Sequence, residues 1–254
     1  MASRTAIVTG ASRGIGLAVT AALAADGFTV TAVSKGGSPE LKALEDTGRV
    51  LPVLADLTDP QAPDEILAAL DQVDVLVNNV GAVRPRTGGF LSVTDADWAA
   101  TLDINLLTTV RMTRAVLPRM VERGAGSIVT VGSVNAVLPD PLVIDYSAAK
   151  AALASLCKSL SKEYGPSGIR VNTVSPGPVA TALWLGGGGV ADSVAKATGA
   201  DPKAVAAQAA SQSVTGRFTR PEEVADLVVY LAGDKAANIT GSNFAIDGGL
   251  VSTI

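Results

Sequence analysis

Tyr146 and Lys150 stand four residues apart in Tyr146-Ser147-Ala148-Ala149-Lys150, at the start of an apolar helical stretch, so a phenol and an ammonium share one helix face. A free phenol titrates near a pKa of about 10, and a cation beside it stabilises the phenolate, which moves the group toward acid/base chemistry at neutral pH. The chain contains no histidine. That excludes Ser-His-Asp and Cys-His nucleophiles, His-Glu-x-x-His zinc sites and imidazole proton transfer together. Proton transfer is left to Tyr, Lys, Asp, Glu or Cys, and Tyr146 is the natural donor. Taken alone, the pair also fits a solvated helix face.

A second constellation lies at the start of the chain. Thr9-Gly10-Ala11-Ser12-Arg13-Gly14-Ile15-Gly16 follows the apolar run Ala6-Ile7-Val8 and leads into the helical pattern Ile15, Leu17, Ala18, Ala21, Ala22. A glycine-rich turn between a strand and a helix is where a dinucleotide pyrophosphate meets a helix N-terminus. Gly10 permits the tight turn, Gly14 lets the backbone approach a phosphate, and Gly16 lets helix and strand pack closely. Gly10, Ser12, Arg13, Gly14, Ile15 and Gly16 are therefore assigned to a dinucleotide. An ordinary glycine-containing turn is the bland alternative.

No acidic residue ends the second strand, where one would bind the adenosine ribose 2′-hydroxyl. Ser34 and Lys35 stand there instead, with Arg13 as a further cation from the turn, a set suited to a 2′-phosphate. NADP(H) is expected over NAD(H).

These groups need a scaffold. Strands are expected near residues 28–33, 50–54, 73–77, 126–131, 169–174 and 242–246 as well as at the N-terminus, with helical stretches between most of them. Regular alternation predicts a doubly wound α/β fold: a single Rossmann domain over 1–254, with about seven mainly parallel strands and helices on both faces. The 254 residues are 48% hydrophobic and 17% charged, which excludes a disordered chain. Aromatics are 4%, so Ala, Val, Leu and Ile must build the core. A net charge of −4 and a pI near 4.9 argue against nucleic-acid binding. No apolar run reaches the roughly 20 residues of a membrane span, no signal peptide is expected ahead of the first strand, and a cytoplasmic protein is expected. Cys157, the single cysteine, reads as a buried structural thiol, and no metal site is expected. The segment 178–216 breaks the rhythm. Its Gly186-Gly187-Gly188-Gly189 run reads as the hinge of a substrate-binding helical flap, or as a flexible surface loop.

With these pieces in order, the sequence resembles the short-chain dehydrogenase/reductase family over residues 5–249. The residues that carry the likeness are the 9–16 turn, Asp56, Asn78-Asn79-Val80-Gly81, Asn105, Ser133, Tyr146 with Lys150, Pro176-Gly177 and Asp247-Gly248-Gly249. The resemblance implies that Tyr146 protonates a substrate carbonyl oxygen and that Ser133 hydrogen-bonds the same oxygen. It further implies that Lys150 lowers the phenol pKa while holding the nicotinamide ribose, and that Asn105 holds a relay water. It assigns Asp56, followed by Leu57, to the adenine, Asn79, Val80 and Gly81 to the cofactor wall, and Pro176, Gly177, Val179 and Thr181 to the nicotinamide and phosphates. Val80 replaces the Ala more usual in that motif. The bland reading of Asp56 places it near the start of a helix beginning about Pro60, and Asn78-Asn79 after an apolar strand would ordinarily form a turn.

The reaction so implied is hydride transfer between nicotinamide and a ketone or secondary alcohol. A 3-oxoacyl-thioester reductase of the same family is a second reading, although residues 134–145 lack that subfamily's Gly-rich, Gln-containing approach. A non-catalytic NADP(H)-binding sensor is a third. Enoyl reduction fits less well, because the enoyl reductases of this superfamily use a longer Tyr-to-Lys spacing. By analogy with where the family places its substrate walls, Leu138, Leu142, Val143, Leu183 and Trp184 suggest a largely apolar pocket for a small-molecule carbonyl or alcohol. Arg84 and Arg86 read first as solvated or interfacial charges and second as contacts to an acidic substrate or carrier. The family expectation is a homotetramer, to which residues 250–254 could add.

Overall fold

The computed structural model describes residues 4–253. Seven parallel strands, β1 (Thr5–Thr9), β2 (Thr29–Ser34), β3 (Val50–Leu54), β4 (Val75–Asn78), β5 (Gly126–Val131), β6 (Ile169–Pro176) and β7 (Asn243–Ile246), form one sheet in the order β3-β2-β1-β4-β5-β6-β7. The main helices are α1 (Gly14–Ala25), α2 (Pro39–Glu45), α3 (Ala62–Ala68), α4 (Asp95–Leu102), α5 (Thr108–Arg123), α6 (Ile144–Tyr164), α7 (Ala182–Leu185), α8 (Val190–Thr198), α9 (Pro202–Ser211) and α10 (Pro221–Ala232). The doubly wound α/β expectation is met, and Ile254, assigned above to an interface, lies outside the described residues.

The central strands are rich in Val and Ile because helices cover both of their faces, so neither side needs polar alternation. On one face Val19 and Leu23 of α1 and Val224, Val228 and Leu231 of α10 pack with Val8, Val30, Val77 and Phe28. On the other, Met112, Val116 and Met120 of α5 and Ile66 of α3 pack with Ile7, Leu76 and Ile128. Cys157 lies in this second cluster, free and buried, as expected of a structural thiol. Few aromatics are needed because small branched side chains fill the narrow space between a twisted sheet and its helices.

Strand order reverses between β1 and β4, which splays the following loops apart and opens a crevice at the carboxyl ends of the strands. Thr9, Asn78, Val131 and Pro176 end β1, β4, β5 and β6 at that edge.

Three local expectations change. Asn78 does not turn; it closes β4 opposite Thr130, buried, with its Nδ2 donating to Thr113 Oγ1 at 3.1 Å. The helix expected near Pro60 begins at Ala62, and Asp56 instead accepts from the Thr58 backbone N–H at 3.1 Å, an Asx turn ahead of the helix. The glycine run 186–189 is packed only at its ends: a Cβ on Gly186 would sit 2.6 Å from the Ala182 carbonyl and one on Gly189 2.9 Å from that same oxygen, while nothing lies within 4 Å of the Cβ positions of Gly187 and Gly188. Gly186 and Gly189 thus allow close backbone approach between α7 and α8. Among the described residues no helix is long and apolar enough to cross a membrane, and no group of three His, Cys, Asp or Glu could hold a metal ion.

Candidate active site

The glycine turn is tied to the sheet from two sides. Ala11 N–H donates to the Val33 carbonyl at 3.1 Å, and Asn79 Nδ2 donates to the Thr9 carbonyl at 2.9 Å. Thr9 Oγ1 in turn accepts from the backbone N–H groups of Asn79 and Val80, at 2.9 and 3.2 Å. Gly10 and Gly14 have φ of +68° and +55°, which glycine adopts without strain. Val80 is accommodated beneath the turn, its Cγ2 3.4 Å from where a Gly10 Cβ would be. Arg13 is exposed at the N-cap of α1, where its side chain makes no capping bond, and the first turn of α1 carries no acidic residue. The helix end thus presents backbone N–H groups without an internal anion, as a pyrophosphate requires. Thr181 packs on the turn, its Cγ2 3.2 Å from the Cβ position of Gly14, so the segment after β6 faces the turn. That segment is held by Gly177 N–H donating to the Ile246 carbonyl at 3.1 Å and by a bridge between Val179 and Thr219.

At the end of β2, Ser34 Oγ is buried without a hydrogen-bond partner, an orphaned hydroxyl that a 2′-phosphate oxygen would satisfy. Lys35 extends into solvent and pairs with Asp56 at 2.7 Å. Hydrogen bonds from Lys35 and Thr58 hold the Asp56 carboxyl down to about 2. Leu57 is buried behind it. The residues present fit a phosphorylated adenosine at this end of the crevice, and the Asp56–Lys35 pair is a contact that sequence reading missed.

The other end holds the residues expected to move a proton. Ser133 lies two residues beyond β5 in extended backbone, its Oγ donating to Asn135 Oδ1 at 3.1 Å and accepting from Asn135 N–H at 3.2 Å. Tyr146 sits in the first turn of α6, half-buried, and Lys150 Nζ lies 5.6 Å from the centre of its ring. Lys150 is buried and donates to the Val131 carbonyl at 3.1 Å. Asn105 is fully buried in a π-helical turn, Asp103–Leu107, that joins α4 to α5. Its Nδ2 donates to the carbonyls of Ala82 and Thr101, at 2.9 and 3.0 Å, and its Oδ1 accepts from Ala82 N–H at 3.1 Å. A Cβ on Gly81 would lie 2.9 Å from Asn105 Oδ1 and 3.5 Å from Lys150 Nζ, so Gly81 allows the β4 loop to pass between them.

Burial pushes the Tyr146 phenol above its usual pKa, and a hydrogen bond with Ser133 opposes that shift. Desolvation of the phenolate sets that direction. A phenol kept protonated is the form that donates. Burial also pulls the Lys150 ammonium down to about 8.

The Lys150 shift has a stability consequence with a definite sign. The folded pKa lies below the unfolded value, so burying this cation destabilises the fold at neutral pH, and the penalty lessens as pH rises from about 8 toward 10.5. Lys150→Met keeps the stem and removes the charge. At pH 7 it is expected to raise stability by about 1–3 kcal/mol while eliminating turnover, with the gain shrinking at alkaline pH. Denaturant unfolding at pH 7 and pH 10 checks this, and a less stable variant at pH 7 contradicts it.

Two partners were missed by sequence reading: Asn135, which orients Ser133, and the ion-paired cluster around Arg86. Arg86 is not a solvated charge. Its side chain is 11% exposed, and its guanidinium bonds to Asp97 and Asp145.

The sequence model of a family described as enoyl-(acyl carrier protein) reductase matches residues 10–251. Oxidoreductase UcpA of Escherichia coli K12 is 35% identical over 263 aligned positions, covering 98% of this chain and 95% of its own. The 3-oxoacyl-[acyl-carrier-protein] reductase FabG of Thermotoga maritima is 35% identical over 253 positions, covering 96% of both chains. Among solved structures, L-sorbose reductase from Gluconobacter frateurii, complexed with NADPH and L-sorbose, superposes with a TM-score of 0.90 at 30% identity, covering 100% of this chain and 98% of that one.

Proposed function

The chain belongs to the short-chain dehydrogenase/reductase family, and on that premise we propose that it is an NADP(H)-dependent carbonyl reductase or secondary-alcohol dehydrogenase. The observation that carries this reading is the convergence of Ser133, Tyr146, Lys150 and Asn105 at one end of a crevice whose other end has a glycine turn, an orphaned Ser34 hydroxyl and Lys35. The cofactor would be held by the turn at the N-terminus of α1, by the Ser34 and Lys35 corner and by the 176–181 segment, and when bound it supplies or accepts the hydride.

The remaining chemistry falls to the protein. As negative charge builds on the carbonyl oxygen, the Tyr146 and Ser133 hydroxyls donate to it, and Tyr146 Oη gives up its proton to form the alcohol. Lys150 stabilises the phenolate left behind and reloads it through water held at Asn105. Ser133 stays oriented by Asn135. In the oxidative direction the same proton returns to Tyr146.

For the substrate we propose a ketone that is apolar beside the carbonyl, seated against Leu142, Val143 and Trp184, with the 178–216 segment over it as a flap. Trp184 is braced edge-on by Phe218, with ring centroids 5.3 Å apart. The likeness to FabG favours a 3-oxoacyl thioester as a second reading. Enoyl reduction, named in the family model's description, is disfavoured by the short Tyr146–Lys150 spacing.

The test measures NADPH and NADH affinity by fluorescence and turnover on ketones, ketoses and 3-oxoacyl thioesters. NADPH is expected to bind at least about tenfold more tightly than NADH, since a 2′-phosphate gains a charge-assisted contact worth upward of about 1.4 kcal/mol. Tighter binding of NADH overturns the cofactor assignment. Binding of NADPH with no turnover on any carbonyl favours the sensor reading.

A further inference from the structure

Arg86 lies in the loop after β4 and ties that loop to two segments that the sequence keeps apart, α4 and the entry to α6. Its backbone N–H donates to the Leu142 carbonyl at 2.6 Å, in the turn that enters α6. Its Nε donates to Asp145 Oδ2 at 3.1 Å, its Nη1 to Asp97 Oδ1 at 2.9 Å, and its Nη2 to Thr101 Oγ1 at 3.4 Å. Thr101 Oγ1 completes the ring by donating to Asp145 Oδ2 at 2.7 Å.

Both ends of the proton path hang from this cluster. Asp145 immediately precedes Tyr146, and its Oδ1 accepts the Tyr146 backbone N–H at 3.1 Å. Thr101 is the residue whose carbonyl accepts from Asn105 Nδ2 at 3.0 Å. The Asp145 side chain is 2% exposed, so its charge depends on partners inside the protein. Burial pushes that carboxyl up, yet hydrogen bonds from Arg86 and Thr101 outweigh burial and keep it below its usual pKa.

We infer that Arg86, with Asp145 and Thr101, forms a positioning clamp that sets Tyr146 and Asn105 relative to one another and neutralises the carboxylate beside Tyr146. None of the three touches substrate or cofactor in this role. The clamp acts on geometry and local charge, so it governs the chemical step and leaves dinucleotide binding to the glycine turn at the other end of the crevice. A salt bridge serving stability alone would not couple to kcat in this way.

The inference rests on the carbonyl-reductase reading, and wild-type turnover run beside the variants separates the two. Arg86→Met is expected to lower kcat by about 30-fold or more with NADPH affinity held within about threefold, since misplacing a reacting group by an ångström costs about 100-fold. Adding Asp145→Asn removes the stranded charge, and the double variant is expected to regain about tenfold of that loss, a non-additivity typical of paired groups. Thr101→Val breaks the link without exposing a charge, and should lower kcat about tenfold, while Thr101→Ser restores most of it. If Arg86→Met does not fold, the two Thr101 variants decide. Wild-type turnover with kcat intact in Arg86→Met or Thr101→Val overturns the clamp alone, as does an equal loss in kcat and NADPH affinity. A wild type that turns over no carbonyl overturns the reading beneath it as well.

Discussion

Tyr146→Phe is expected to reduce kcat by about 100- to 10,000-fold while NADPH affinity stays within about threefold, the range seen when a positioned general acid is removed. The substitution deletes one oxygen and keeps the ring, so the contact between Lys150 Nζ and the ring face, 5.6 Å from its centre, survives. Ser133 loses a partner but keeps both bonds to Asn135, so its hydroxyl remains oriented. What disappears is the one proton donor that can follow negative charge onto a carbonyl oxygen. No histidine exists to substitute, and Lys150, lowered to about 8 and bonded to the Val131 carbonyl, is committed elsewhere. Steady-state turnover on the best ketone, set beside a fluorescence titration with NADPH, makes the measurement. A variant retaining more than about a tenth of wild-type kcat would show that the phenol is not the acid, because general acid catalysis contributes at least about 100-fold.

Much of this arrangement was legible in the sequence because the signals were local. Gly10, Gly14 and Gly16 sit between an apolar run and a 3.6-residue periodicity, and that juxtaposition fixes a strand, a turn and a helix within about twenty residues. Tyr146 and Lys150 are four apart on a helix, so their meeting required no tertiary knowledge. What escaped was non-local. Arg86 reads as a solvated charge because its partner Asp145 lies 59 positions away, and nothing in either neighbourhood announces the other. Asp56 reads as an adenine contact, and nothing near it announces that Lys35, at the end of the neighbouring strand, pairs with it. Asn105 is marked by the family resemblance alone, which does not show the π-helical turn in which its side chain caps the Thr101 carbonyl. The glycines at 186–189 suggested freedom; backbone fills the Cβ positions of Gly186 and Gly189 while those of Gly187 and Gly188 are open, a difference that composition cannot show.

Gly16→Ala reverses the sign that helix propensity predicts. Within a helix, Ala is favoured over Gly by about 1 kcal/mol, and Gly16 is the third residue of α1. A Cβ there, however, would lie 2.1 Å from the Gly10 carbonyl oxygen and 2.5 Å from Asn79 Nδ2. Neither neighbour can give way cheaply. The Gly10 carbonyl is backbone, and Asn79 Nδ2 is spent on the carbonyls of Thr9 and Gly10, the bonds that anchor the turn to β4. Helix and turn must separate, which loses the packing of Val19 and Leu23 on the sheet and moves the N–H groups of α1 away from where a pyrophosphate would sit. The expected result is a net loss of about 3 kcal/mol or more, a fall in Tm of about 6–12 °C for a chain of this size, and NADPH binding weakened by over about tenfold. Gly165→Ala is the control: its backbone is right-handed helical at φ −55°, ψ −44°, and nothing lies within 4 Å of its Cβ position. That variant should gain a few tenths of a kcal/mol, up to about 1, by restricting the unfolded chain. If Gly16→Ala unfolds at or above the wild-type temperature, the close approach of α1 to the turn is not what this glycine is for.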